Sequence, residues 1–207
     1  WGLLAPRILP DDLLVDTQAV LRAFEGLPPH LRDHLGNRIA DRLSRAGYDA
    51  TARDILRRLE RMHGTVTPAM SLAAAQLDLR EGALEQAGEA LRQLAETPGP
   101  ESMDAVIGAI DLAWRQQSAL PPHIVELADA YGKEFAGSPE GAQLWQARIR
   151  ALLLDGQADT AVSLYQEDMG QPEELREATG DELVRGVTER ASDVSFLKQA
   201  ATNGLPR

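Results

Sequence analysis

The chain of 207 residues contains no cysteine, and this absence excludes several kinds of chemistry. Without a thiol it can form no disulfide, bind no metal through thiolates and use no cysteine nucleophile. The absence suits the cytoplasm and the bacterial periplasm equally well, so the sequence leaves the location open. The first residue is Trp1 rather than Met and no leader is visible, so we expect a mature form or a fragment of a longer protein.

Aromatic residues make up only 4% of the chain, and lysine is nearly absent from its 21 basic residues. Large all-β cores depend on aromatic and β-branched side chains. Here the apolar residues are mostly Leu and Ala, which favour helices. No apolar run approaches the roughly 20 residues that a membrane-spanning helix needs. The composition predicts an all-α protein, and the bias towards Arg and Ala is typical of GC-rich bacterial genomes.

The charge is acidic and uneven, with a formal net charge of −11. Residues 32–61 hold eight Arg against five acids, whereas residues 62–207 hold 11 bases against 23 acids. This balance disfavours nucleic acid, because phosphate binding depends on Lys and Arg that release counterions. Two interpretations remain open: the charges are ordinary solvated helix faces, or they form a polarised surface that docks a basic partner.

Helix-start signals recur along the chain. Thr67 and Ser138 each precede a proline, which places an N-cap before a Pro at the first helical position. Between such signals, apolar residues fall at three- and four-residue spacing, which is typical of amphipathic helices. The predicted helices are 11–25, 29–46, 49–62, 68–81, 83–96, 101–117, 121–136, 139–155, 157–168, 172–179, 181–191 and 193–202.

A repeat with a period of about 35–37 residues connects these helices. Each clear unit has a turn glycine, an alanine five residues later and a large side chain four residues after that. The three units contain Gly47, Ala52 and Leu56, then Gly82, Ala87 and Leu91, then Gly156, Ala161 and Tyr165. A further unit without the glycine should turn near residue 119, between Ser118 and Pro122.

Elementary helix physics explains why these residue types recur. Glycine adopts the positive φ that ends a helix in a tight turn. A small residue then lets the second helix cross the first closely. A single hairpin cannot bury its apolar face, so stacking is required. We therefore predict one domain over 1–207, with an N-terminal helix at 11–28, about four hairpins over 29–172 and capping helices over 173–207.

The pattern resembles the tetratricopeptide-repeat family. The strongest unit runs from Trp145 through Gly156, Ala161 and Tyr165 to Pro172. Weaker units contain Ala75, Gly82, Ala87 and Pro98, and Ala40, Gly47, Tyr48 and Ala52. The resemblance implies a right-handed α-solenoid that binds a partner protein or peptide in a concave groove lined by the first helices. The partner-binding positions that it implies are His34, Asn37, Arg45, Gln76, Arg80, Gln116, Gln117, Gln146 and Arg150, with Asp41, Leu79 and Gln143 beside them.

No motif for catalysis, cofactors or metals stands out. His30 and His34 lie one helical turn apart, but no third ligand accompanies them. The acids Asp11, Asp12 and Asp16 fit a helix N-cap better than the aspartate-rich motif of isoprenoid synthases. The chain has no phosphate-binding loop, dinucleotide-binding glycine pattern or nucleophile elbow. We therefore expect a non-enzymatic protein without a cofactor.

Several functions remain open at this point. The first is a scaffold or adaptor that binds a partner protein or peptide in the groove. The second is an RNA-binding helical repeat, which the acidic charge disfavours. The third is self-association, in which the basic N-terminal hairpin of one chain meets the acidic remainder of the next. A structural domain of a larger bacterial envelope protein is a related alternative.

Overall fold

A computed structural model describes residues 16–167 and 170–190, apart from the side chains of Asp33, His34, Pro139 and Arg190. Within these ranges the chain consists of helices joined by turns, without a strand, which confirms the predicted all-α class. The helices are α1 (Thr17–Glu25), α2 (Pro29–Arg45), α3 (Asp49–His63), α4 (Pro68–Glu81), α5 (Leu84–Glu96), α6 (Ser102–Gln116), α7 (Pro122–Glu134), α8 (Pro139–Leu154), α9 (Ala158–Glu167) and α10 (Glu173–Arg190).

The predicted break between 179 and 181 is wrong, because α10 is one continuous helix. Gly180 followed by Asp181 imitates the end of one helix and the cap of the next. Thr179 and Gly180 are instead buried within the helix, so tertiary packing overrides their local preference. The predicted helix at 193–202 and the first residues of the predicted helix 11–25 lie outside the described residues.

The predicted turn glycines adopt the expected backbone conformation. Gly47, Gly82 and Gly156 have φ values of 81°, 82° and 75°, in the left-handed region. After each glycine, the next residue donates its amide hydrogen to the carbonyl four residues before that glycine, at 2.8 Å in all three turns. Each bond satisfies a carbonyl in the last turn of the helix that has no partner within the helix. The three hairpins therefore share one turn geometry.

The unit that lacks a glycine turns in the same way, two residues earlier than predicted. Gln117 has a φ of 52° and is the one non-glycine residue with a positive φ in the described part of the chain. The amide of Ser118 donates to the carbonyl of Ala113 at 3.0 Å, which matches the bond in the other turns. Turns at 47, 82, 117 and 156 are therefore spaced by 35, 35 and 39 residues.

We expect Gln117→Gly to stabilise the protein by roughly 0.5–1 kcal/mol. The left-handed conformation costs a side-chain-bearing residue about 1–2 kcal/mol, and loss of the hydrogen bond from Gln117 Nε2 to the Trp114 carbonyl offsets part of the gain. Urea denaturation followed by circular dichroism measures the change. Gly82→Ala is the matched opposite and should destabilise by about 1 kcal/mol. A destabilising Gln117→Gly would contradict this account of the turn.

The chain divides into two compact units, residues 1–101 and residues 102–207. In the first unit, α2 pairs with α3 and α4 pairs with α5. Helix α4 also contacts both helices of the preceding hairpin, while α1 contacts α2 and α3. The core between these helices includes Leu43, Ile55 and Leu77, each at most 1% exposed. The two hairpins of this unit therefore stack through α4.

In the second unit, α8 occupies the centre and contacts α6, α7, α9 and α10. Its residues Ile149 and Leu153 are at most 1% exposed and pack in one cluster with Leu183 of α10. Gly186 of α10 lies so close to Leu153 that a Cβ there would approach its Cδ1 to 2.7 Å. Close packing on α8 thus holds this unit together. The predicted continuous stack over 29–172 stays a prediction.

The alanines that the repeat predicts at the crossing of two helices are buried. Ala52, Ala87 and Ala161 are each 0% exposed. We expect Ala87→Leu to destabilise the protein by roughly 1–3 kcal/mol, because three added carbons must fit into filled space between α4 and α5. Thermal unfolding against Gln86→Leu, an exposed control on the same helix, would measure this cost. An unchanged midpoint for Ala87→Leu would count against the role of these alanines at the crossing.

Candidate protein-interaction surfaces

In the first unit, the predicted groove residues differ in their exposure and in the hydrogen bonds that they make. Gln76 on α4 is exposed and makes no described hydrogen bond, whereas Arg80 donates to the carbonyl of Ser44 on α2. Arg45 is exposed and donates to Asp41 within its own helix at 3.0 Å. The side chain of the predicted residue His34 lies outside the described residues. Of these positions, Gln76 is the exposed side chain that makes no described hydrogen bond.

Asn37 on α2 differs from its neighbours. Its Oδ1 is buried and has no hydrogen-bond partner. A buried amide oxygen without a donor carries a desolvation cost of about 1–3 kcal/mol. The predicted inner face of α2 therefore contains one unsatisfied acceptor.

In the second unit, the predicted residues lie at the end of α6 and along α8. Gln116 is exposed at the last position of α6 and makes no described hydrogen bond. Gln117 forms the turn described above. Gln146 donates from Nε2 to Glu182 of α10 at 3.3 Å and is half-buried. Gln116 is thus the accessible counterpart of Gln76 in the other unit.

Arg150 joins three helices of the second unit. It donates from Nε and Nη2 to the two carboxylate oxygens of Glu182 on α10, at 2.7 and 2.5 Å, and from Nη1 to Asp111 on α6 at 2.5 Å. Burial alone would lower the pKa of Arg150, but the hydrogen bonds and attraction from both carboxylates raise it. Its side chain is only 15% exposed. The donors that would grip a ligand carboxylate therefore already hold the helices together.

Sequence reasoning did not find a cleft of ≈ 470 Å³ that lies wholly within the second unit, between α7, α8 and α9. Apolar side chains of Val125, Leu152 and Leu164 line it, beside hydroxyl groups and charged residues. The polar lining residues are Glu126, Asp129, Arg148, Gln157, Thr160, Ser163 and Glu167. The sequence signal was the pair Glu126 and Asp129, three residues apart on one helix, but nothing in the sequence alone places α9 opposite them.

Three carboxylates and one guanidinium set the charge of this cleft. Asp129 forms ion pairs with Lys133 at 2.6 Å and with Arg148 at 2.5 Å. The hydrogen bond from Lys133, with further help from Arg148, lowers the pKa of Asp129 against the opposing effect of burial. Glu126 and Glu167 make no described hydrogen bond or ion pair. The lining of the cleft therefore has a net negative formal charge, with one carboxylate on α7 and another on α9 that make no described ion pair.

No protein-family model, curated protein or solved structure matches this chain. Membership of the tetratricopeptide-repeat family therefore stays a prediction, supported by the residues and turns described above.

The described residues contain no group of three or more His, Asp or Glu side chains that could hold a metal ion. Among the same residues, no helix combines the length and the apolar character that crossing a membrane requires.

Proposed function

We propose that this chain is a non-enzymatic scaffold or adaptor, a solenoid of helical hairpins similar to tetratricopeptide repeats that binds a protein or peptide along its first helices. The observation that carries the proposal is the turn that recurs at 47, 82, 117 and 156, including the position where Gln replaces Gly. A regular turn at this period is typical of repeat proteins, whose stacked hairpins present extended binding surfaces.

The contacts between first helices support this architecture. Helix α2 contacts α4 in the first unit, and α6 contacts α8 in the second, in addition to the contacts within each hairpin. This alternating pattern is what stacked hairpins require, because the first helix of each hairpin must cover the first helix of the next. A right-handed superhelix that continues through all four hairpins is part of the proposal.

The accessible groups on the first helices suit an extended peptide. Gln76 on α4 and Gln116 on α6 expose amide groups, which both donate and accept hydrogen bonds, as a peptide backbone requires. The Oδ1 of Asn37 on α2 is buried and is therefore not one of these accessible groups. We assign Arg150 a structural role within this scheme, so substitution of Arg150 is unsuitable as a test of binding.

Site-specific photo-crosslinking tests the proposed surface. A photoreactive amino acid replaces Gln76 or Gln116, and the purified chain is irradiated in a lysate of its source organism. Matched controls carry the same group in place of Gln93 on α5 or Gln166 on α9, which are exposed glutamines on second helices. We expect one dominant crosslinked protein from the first-helix positions and not from the controls. Identical crosslinks from all four positions, or crosslinks from the controls alone, would reject the first helices as the binding surface.

A further inference from the structure

The cleft between α7, α8 and α9 is shaped for a partner with both apolar and cationic groups. We define the acid-walled cleft by its apolar residues Leu152 and Leu164 and by its unpaired carboxylates Glu126 and Glu167. The carboxylates belong to different helices that border the cleft, whereas Asp129 is ion-paired with Lys133 and Arg148. Its volume of ≈ 470 Å³ falls within the range of roughly 300–1,000 Å³ that is usual for binding pockets. This space accommodates a few side chains rather than a whole helix.

A complementary surface occurs in the first unit, at the end of α3. Arg57 and Arg61 lie one helical turn apart, are exposed and form no described ion pair. Among the described residues, Arg61 donates a hydrogen bond to the backbone carbonyl of Arg57. Met62 follows Arg61 directly and Val66 lies in the loop after the helix; they are 38% and 52% exposed and are the exposed large hydrophobic residues of the described chain. We call these four residues the basic tip.

We propose that the acid-walled cleft of one chain receives the basic tip of a second copy. Two features of the molecule lead to this occupant. The charges are complementary, since unpaired carboxylates border the cleft and unpaired guanidiniums mark the tip. The apolar side chains are complementary too, because exposed Met62 and Val66 lose contact with water against the Leu152 and Leu164 side chains.

The proposed contact is heterologous, since it joins two different surfaces of the same chain. Repeating it generates either a closed ring or an open chain of copies, rather than a two-fold symmetric dimer. It uses neither Gln76 nor Gln116, so it goes beyond the proposed peptide-binding function and does not depend on it.

Sedimentation velocity of the purified chain at increasing concentrations tests the proposal. At low salt we expect a concentration-dependent shift to larger species. The dissociation constant should rise about tenfold or more at 0.5 M salt, because screening weakens contacts between exposed charges. Met62→Gln combined with Val66→Gln should weaken association at both salt concentrations, since the apolar part of the contact is not screened.

A charge exchange identifies the two surfaces. Glu126→Arg with Glu167→Arg reverses the cleft, and Arg57→Glu with Arg61→Glu reverses the tip. Each double variant alone should remain monomeric, whereas an equal mixture of the two should associate again. Glu134→Arg on α7 and Arg115→Glu on α6 are exposed control reversals outside both surfaces, and they should associate as the unchanged chain does. Circular dichroism of every variant shows that the loss of association is not a loss of folding.

Several results would overturn the proposal. These are a chain that stays monomeric at all concentrations, association that the cleft variants leave intact, and folded double variants whose mixture does not associate. Binding of a basic segment from another protein to the cleft, with the chain itself monomeric, would also reject the second copy as the occupant. Crosslinking at Gln76 and Gln116 should persist in the cleft and tip variants, so failure of self-association is distinguishable from failure of the proposed function.

Discussion

Replacing Arg150 by Ala should lower the free energy of unfolding by about 2–4 kcal/mol. The substitution leaves the carboxylates of Asp111 and Glu182 facing each other without the cation that now bridges them. Removing one partner of a buried ion pair typically costs about 3–5 kcal/mol. We expect somewhat less here, because Asp111 is 33% exposed and water relieves part of its loss. Urea denaturation followed by circular dichroism measures the change.

Two variants distinguish the bridge from simple loss of volume. Arg150→Lys keeps the charge, but an ammonium group cannot bond to both carboxylates as the planar guanidinium does. The free energy of unfolding of this variant should therefore lie between that of Arg150→Ala and that of the unchanged chain. Combining Arg150→Met with Asp111→Leu and Glu182→Leu removes all three charges of the bridge. This triple variant should be more stable than Arg150→Met alone. A triple variant that is less stable than Arg150→Met would show that repulsion between the carboxylates is not the cause.

Replacing Trp145 by Ala should cost about 3–5 kcal/mol, the range for removing a large aromatic side chain from a core. Trp145 on α8 is 2% exposed. Its ring stacks on Tyr165 of α9, with centroids 5.7 Å apart and an interplanar angle of 28°. Its Nε1 also donates to the Leu164 carbonyl at 3.4 Å. The substitution therefore removes apolar contact, an aromatic pair and a hydrogen bond together.

Trp145→Phe is the matched control, because it keeps an apolar ring but loses the donor and part of the volume. We expect it to cost less than Trp145→Ala. Tyr165→Ala removes the other half of the pair, and the double variant with Trp145→Ala should cost less than the two single effects combined. Strict additivity would indicate that the stacked pair contributes nothing beyond the separate burial of each ring.

Several features could be predicted from the sequence because they depend on neighbours within a few residues. The N-caps at Thr67 and Ser138 accept hydrogen bonds from Met70 and Gly141, as their positions before a proline predicted. The turn at Gly82 required a residue that tolerates positive φ. Ala87 is buried at the crossing that this turn creates. These interactions are encoded by residue type and spacing alone.

Other features could not be predicted from the sequence, because the type of the residue either gave no sign of the backbone conformation or indicated the wrong one. Gln117 carries no mark of a left-handed turn, and only the hydrogen bond between Ser118 and Ala113 shows that it replaces the glycine. Gly180 is the opposite case, because its residue type predicts the end of a helix where the structure has a continuous one. In both cases the energy of the surrounding structure exceeds the preference of one residue.

The sequence by itself determined the all-α class, most helix boundaries and three of the four turns, because periodicity, capping and positive φ are local properties of the chain. Only the tertiary structure decided which polar groups are free. The sequence predicts Arg150 as a ligand-binding residue. The structure shows that it is ion-paired with Asp111 and Glu182, which are distant in the sequence. The cleft likewise exists only because α7 and α9 both lie against α8. The chemical type of a side chain determines which groups it is able to bind. The packing of helices that are distant in the sequence determines which of those groups it contacts.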